Sequence, residues 1–349
     1  MIKKNWIVST TEPILVTGSN GFIGSMVVKI LLDYGFEHIR CFVRPSSNLA
    51  SLRKVIGDQN ASRTEIVEGN LLVPEDCNRA LANVSVVFHL AAGIDKSFAG
   101  CFMNSVLTTR NLLEAVLVHR ILKRFVNVSS FAVYSNYQMK RGSLLDETAP
   151  LETEHNKRQD PYGYGKLKQE NLVLKYNREH KIPYTILRPG AVYGPGKSAL
   201  TGRIGIDTFG VFLHLGGSNQ LPLTYVDNCA EAIILAGLIE GAGGEVFNVV
   251  DDNLPSSRAF LKMFKKHTGG FFSLSLPYRL TFLLCSLWEK YAEWSEGQLP
   301  LRFNKRRCSS EWKGNIYSND KLKKVLGWKP RISFDQASRQ FFDSFQKKG

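Results

Sequence analysis

Apolar residues come in short blocks separated by turns, and the blocks alternate between strand-like and helix-like spacing. Residues 14–16 are a continuous apolar triplet, followed by a glycine-rich turn and a helical pattern over 22–32. Further strand-like runs fall at 38–43, 65–71, 85–90, 124–129 and 184–188. Helical patterns lie between them at 102–119 and from Asp160 to about His180, with Asp160 placed to cap the helix and Pro161 in its first turn. Strands alternating with helices at this interval predict an α/β fold with a doubly wound parallel sheet. The segment 140–160 is charged and without period, and reads as a long loop over the cleft.

Beyond Gly196 the pattern loosens, with a strand predicted at 223–226, a helix at 227–239 and a strand at 245–250. This predicts two interwoven lobes: a dinucleotide-binding domain from 1–190 with 223–250, and a smaller substrate lobe from 191–222 with 251–349. From Pro277 a further helix carries Leu280, Leu283, Leu284, Leu287, Trp288 and Tyr291 on one stripe. The stripe is too short to span a bilayer. It is expected to pack on the substrate lobe, with a membrane interface as the alternative.

The length of 349 residues suits two lobes sharing a cleft, and 44% apolar with 22% charged residues fits a globular protein. The six cysteines are scattered and no histidine pairs with another at ligand spacing, so no metal site is expected. Residues 1–11 are polar and carry no secretory pattern, which makes the cytoplasm the expected location. The net charge is +14, and residues 258–349 hold 19 Lys/Arg against 7 Asp/Glu. That basic third leaves a solvated face and a peripheral membrane contact both open. Nucleic acid is set aside, because no basic–aromatic module accompanies the charge.

Candidate chemistry begins at the first turn, where Gly18 permits a sharp bend, Gly21 close approach of a pyrophosphate, and Gly24 close helix–sheet packing. The helix start supplies free N–H groups to phosphates. Arg44 ends the second strand, followed by Ser46 and Ser47. An arginine there suits the 2′-phosphate of NADP, where an acidic residue would suit NAD. Asn70 and Leu71 would lie beside the adenine, and the small residues Ala91 and Ala92 allow approach to the middle of the cofactor. Tyr162 and Lys166, four apart at a helix start, share a face. An ammonium beside a phenol lowers its pKa from about 10 towards the range of a general acid/base. Ser130, after the fifth strand, can hold a substrate oxygen beside that phenol, and the set suits alcohol–carbonyl interconversion.

The chain resembles the extended short-chain dehydrogenase/reductases of the NAD-dependent epimerase/dehydratase group along nearly its whole length. The resemblance rests on Thr17-Gly18-x-x-Gly21-x-x-Gly24, His89-Leu90-Ala91-Ala92, Val128-Ser129-Ser130-x-x-Val133-Tyr134 and Tyr162-x-x-x-Lys166. It continues through Arg188-Pro189-Gly190-x-Val192-Tyr193-Gly194-Pro195-Gly196, Tyr225-Val226-Asp227-Asn228 and Leu326-Gly327-Trp328-Lys329-Pro330. It implies a catalytic set of Ser130, Tyr162 and Lys166, with Lys166 also on the nicotinamide ribose and Asn104 supporting it through water. It also implies an NAD(P) site along Asn20, Phe22, Ile23 and Leu90, closed by Pro189, Gly190 and Val192.

Two positions depart from the family pattern. The usual Gly-Asp-Leu is Gly69-Asn70-Leu71, and the serine before the lysine is Gly165. Two glycines in that first turn cost about 1–2 kcal/mol against alanines, tolerable if the backbone packs close to cofactor or substrate. The approach to Tyr225 carries no arginine, unlike nucleotide-sugar enzymes, and resembles the 3β-hydroxysteroid dehydrogenase and dihydroflavonol-reductase-like branches. Aromatic and leucine residues of 271–294 are expected to line the pocket, and Arg203 or the basic third could still grip a diphosphate. An NAD(P)-dependent secondary alcohol/ketone oxidoreductase is favoured. A nucleotide-sugar epimerase or dehydratase with tightly held NAD(P) is the alternative. A non-catalytic dinucleotide sensor is a second one, disfavoured because the catalytic set is intact. A small-molecule substrate is expected, and a homodimer is compatible with the resemblance.

Overall fold

In a computed structural model, residues 5–197, 200–208, 210–296 and 298–346 are described. Seven parallel strands form the central sheet: β1 (Ile14–Thr17), β2 (Ile39–Val43), β3 (Thr64–Glu68), β4 (Val86–His89), β5 (Arg124–Val128), β6 (Tyr184–Pro189) and β7 (Val246–Val249). Their order is β7-β6-β5-β4-β1-β2-β3. The chain winds outward in both directions from β1 and β4, so a crevice opens between their carboxyl ends.

Alternation along the strands feeds two cores. Ile14 and Val16 of β1, with Val86 and Phe88 of β4, face one side, where helices α1 (Phe22–Asp33) and Val226–Leu238 pack together. Leu15, Val87 and Phe125 face the other, against helix Thr108–His119 and Val173 and Tyr176. Val226–Leu238 is almost wholly buried, as a helix between a sheet and another helix must be. Leu322, Leu326 and Trp328 join the first of these cores although the sequence division placed them in the substrate lobe.

A third core gathers Tyr193, Phe212, Tyr225, Phe260, Phe264 and Phe341. Beside it lie a three-stranded sheet (Gly205–Thr208, Val211–His214, Ser273–Ser275) and a parallel pair (Ala191–Tyr193 with Leu223–Tyr225).

Three expectations change. The helix predicted over 102–119 is broken: Phe98–Cys101 and Thr108–His119 are α-helical, but Phe102–Leu107 is a π-turn. The predicted loop 140–160 is pinned, because Leu144–Leu145 pairs with Ile316–Tyr317 and His155–Arg158 forms a helical turn. The helix Tyr278–Trp294 forms, but its leucine stripe does not pack on the substrate lobe. Leu283 is 54% exposed, Leu287 55% and Trp294 76%, while Thr281, Cys285 and Ala292 make the buried face.

Candidate active site

The glycine turn shows why each glycine stands where it does. Gly18 has φ +68°, and a β-carbon there would lie 3.0 Å from the Ala91 nitrogen. The Gly21 N–H donates to the Gly18 carbonyl at 2.9 Å. A β-carbon on Gly24 would come within 2.1 Å of that same carbonyl, so only glycine lets α1 begin so close to β1. The result is a bare backbone cradle at a helix start, the arrangement a pyrophosphate requires. The residues present therefore fit a dinucleotide.

From this cradle a cleft of about 1010 Å³ runs along the carboxyl ends of the strands. Gly18, Asn20, Gly21, Phe22, Ile23 and Gly24 line one end, with Arg44, Asn70 and Leu71 on the rim. Leu90, Ala91 and Ala92 line the middle, and Pro189, Gly190 and Val192 the far wall. Ser130, Tyr162, Lys166 and Asn104 line the same cleft, so the structure brings all the sequence-predicted site residues together. Arg44 is exposed and has no ion-pair partner among the described residues. Asn70 shapes the rim: its side chain accepts from Leu72 N–H at 3.0 Å, and its own N–H donates to Asp76 at 2.7 Å. Asp76 thus places a carboxylate beside the position where the family aspartate is missing.

Helix Pro161–His180 starts as its sequence predicts, with Asp160 accepting the Gly163 N–H at 3.0 Å. A β-carbon on Gly163 would meet the Asp160 carboxylate at 2.1 Å and the Ala132 carbonyl at 2.8 Å. One on Gly165 would meet Cys101 at 3.3 Å. The close neighbours of these two glycines are protein segments, the π-turn region among them, rather than the cleft.

The electrostatics differ from the expected pairing. Lys166 is 3% exposed, and its Nζ donates to the Val128 carbonyl at 2.6 Å. Burial lowers its pKa to about 8, against the opposing pull of Glu170 one turn on. The Tyr162 phenol is not lowered. Burial, with Asp160 and Cys101 adding, pushes it up, and a hydrogen bond with Ser130 pulls the other way. Lys166 makes no contribution there because its ammonium is held at the end of β5, where its charge acts on His89 instead. The Ser130 hydroxyl accepts the Ala132 N–H at 3.2 Å, which fixes it at the head of a short turn. Asn104 sits exposed in the π-turn and makes no hydrogen bond to Lys166 among the described residues.

A buried polar layer supports this floor, and little in the sequence announces it. His89 hydrogen-bonds Thr17 at 2.8 Å and Thr109 at 2.9 Å, and Gln169 donates to Thr109 at 2.8 Å. Burial first, then Lys166, holds the His89 pKa down at about 3, so the ring is neutral. Arg188 grips Glu170 through two bonds of 3.0 and 2.6 Å and donates to the Tyr134 hydroxyl at 3.0 Å. The substrate end has its apolar wall from Tyr193, Leu200, Phe260 and Phe341, not from residues 271–294 as expected.

Residues 14–249 match the family model of the NAD dependent epimerase/dehydratase family. The chain is 26% identical to a 2-alkyl-3-oxoalkanoate reductase of Stenotrophomonas maltophilia, over 94% of this chain and 97% of that protein. It is 27% identical to 3beta-hydroxysteroid-dehydrogenase/decarboxylase isoform 1 of Arabidopsis thaliana, over 69% of this chain and 56% of that protein's length. The crystal structure of a UDP-glucuronic acid 4-epimerase from Bacillus cereus in complex with UDP-glucuronic acid and NAD superposes with a TM-score of 0.70. At 23% identity, covering 97% of this chain and 100% of that one, it attests the shared fold. With the matched model spanning most of the chain, the protein belongs to the NAD-dependent epimerase/dehydratase family, an extended short-chain dehydrogenase/reductase and an enzyme.

Proposed function

We propose that the protein reduces a ketone, or oxidises the corresponding secondary alcohol, with Tyr162 as general acid/base. The observation that carries this reading is the Tyr162 phenol held protonated beside Ser130 on the floor of a cleft with a dinucleotide cradle. When bound, the nicotinamide cofactor exchanges a hydride with the carbinol carbon. Ser130 and Tyr162 hold the substrate oxygen, and the phenol delivers or removes its proton. A phenol kept protonated by burial is in the state that reduction needs. Lys166 lines the same cleft and would hold the nicotinamide ribose, and Asn104 lines that cleft too.

The apolar wall and the relatives named as an oxoalkanoate reductase and a hydroxysteroid dehydrogenase support an oxidoreductase over a sugar epimerase or dehydratase. Arg44, on the cleft rim without an ion-pair partner among the described residues, supports NADP(H) as the preferred cofactor. Tyr162→Phe is expected to lose at least about a hundredfold in hydride transfer while keeping NADPH affinity, read by quenching of protein fluorescence. Turnover within tenfold of wild type would end the reading.

The exposed stripe of Tyr278–Trp294 is flanked by the exposed cations Arg279 and Lys290, and Lys262 and Lys266 are exposed on the helix Ser257–His267. An apolar stripe beside cations suits the surface of an anionic bilayer, and no described helix is long and apolar enough to cross one. We propose a peripheral contact there. Flotation with phosphatidylserine vesicles is expected to recover the protein and to fail for Leu283→Glu/Leu287→Glu. A concentration-dependent dimer lost in that variant, without flotation, would assign the stripe to a second copy instead.

A further inference from the structure

We propose that Arg203 and Arg307 form an anion-binding subsite beside Ser130 and Tyr162, so that the substrate carries a carboxylate or phosphate near its reacting carbon. The proposal rests on the oxidoreductase reading above and adds to it the chemical class of the substrate.

A second cavity, of about 390 Å³, opens off the cleft and shares Ser130, Tyr162, Gly190, Ala191 and Thr201 with it. The charged groups in its wall are Arg158, Asp160, Arg203, Arg307 and Glu311. Arg158 is already committed: it is ion-paired with Asp160 and lies 3.9 Å from Glu152, which Arg306 also engages at 2.9 Å. That network of two cations and two anions neutralises itself.

What remains is Arg203 and Arg307 against the single carboxylate of Glu311, which is within ion-pair distance of neither. Arg203 is aimed rather than mobile, because its Nη1 donates to the Ser310 carbonyl at 3.0 Å and reaches the Tyr317 hydroxyl at 3.5 Å. Arg307 is half-buried on helix Lys305–Trp312, and its guanidinium has no hydrogen bond or ion pair among the described residues. Partial burial of an unpaired guanidinium is costly. A planar anion recovers that cost through paired N–H donors, which carboxylate and phosphate both accept. Because the two arginines line the same cavity as the phenol, anion binding there is linked to orientation of the substrate oxygen.

The test uses protein loaded with NADP+, which fills the cofactor cleft and prevents reduction. Calorimetric titration with acetoacetate and with inorganic phosphate is expected to show binding of at least one, and which one distinguishes a carboxylate from a phosphate substrate. Arg307→Met is expected to weaken that binding about tenfold or more, with Arg307→Lys intermediate and NADP+ affinity retained. Arg203→Lys, which keeps the charge but not the fork, provides a second reading if Arg307→Met does not fold. With NADPH, the preference in kcat/KM for acetoacetate over methyl acetoacetate should fall by a similar factor in Arg307→Met. Absence of binding by both anions, or equal binding in wild type and both variants, overturns the subsite. Anion binding that depends on Arg307 in a protein that transfers hydride to no ketone would leave the subsite standing and end the oxidoreductase reading alone.

Discussion

Tyr162 and Lys166 lie one helical turn apart, yet the lysine spends its hydrogen bond on Val128 and the phenol is raised rather than lowered. Spacing along a helix fixes which residues share a face, so the pair was legible in the sequence. Where the ammonium ends depends on the carbonyl at the end of β5, which spacing does not encode. The three glycines were legible for a firmer reason: Gly21 and Gly24 are required by contacts with the Gly18 carbonyl inside the turn, and Gly18 by its positive φ and the approach of Ala91. Arg44 belongs to this scale as well. Its guanidinium has no hydrogen-bond or ion-pair partner among the described residues, so truncation removes only what it offers a ligand. Charge-assisted bonds contribute about 1.5–3 kcal/mol. Arg44→Ala is therefore expected to cut the NADP-over-NAD preference roughly ten- to hundredfold, measured as the ratio of dissociation constants. An unchanged ratio, or equal affinity for the two in wild type, would show that the rim does not read the 2′-phosphate.

Strands with a regular apolar pattern were placed within a few residues by their sequence, because burial on both faces leaves continuous apolar runs. The π-turn at Phe102–Leu107 was not, since its residues have ordinary helical composition; in the fold it packs against helix Pro161–His180. The segment 140–160 reads as a long loop in the sequence because its order is supplied from far along the chain, by Ile316–Tyr317. Tertiary pairing also holds β6 to helix Pro161–His180, through Arg188 and Glu170, which are 5% and 1% exposed. Glu170→Gln leaves a buried guanidinium without its counter-charge and is expected to cost about 3–5 kcal/mol in urea denaturation. Glu170 also holds the Lys166 pKa up against burial. Its loss should move the alkaline limb of activity from near pH 8 to lower pH, a shift that mere loosening of the helix would not produce. Unaltered stability would show that the pair is not the link between strand and helix.

Across the whole molecule, the buried ionisable groups set how stability follows pH, and their burial could not be read from composition. His89 and His155 have pKa values lowered by burial to about 3 and about 4. Below about pH 6.5 the unfolded chain takes up protons on both rings before the folded protein does. Their contribution is therefore present above pH 6.5 and lost as pH falls towards 4. Asp251 acts in the opposite sense, because burial raises its pKa to about 7, and its contribution fades as pH rises from about 4 to 7. Over this window the lowered histidines, His214 among them, outweigh the raised carboxyls of Asp251 and Asp227, while Lys166, lowered to about 8, enters only in alkali. Net stability is expected to rise from pH 4 to about 6.5. His155 isolates the effect: it is 6% exposed, neither ring nitrogen has a hydrogen-bond partner among the described residues, and its ring packs edge-on against Tyr164. His155→Phe keeps the packing and removes the titration, which is worth on the order of 3 kcal/mol at full protonation of the unfolded ring. Denaturation midpoints at pH 4.5 and pH 7 should therefore lie closer together in the variant than in wild type. Equal spacing in both would mean that the His155 ring is reached by solvent and titrates normally in the folded protein.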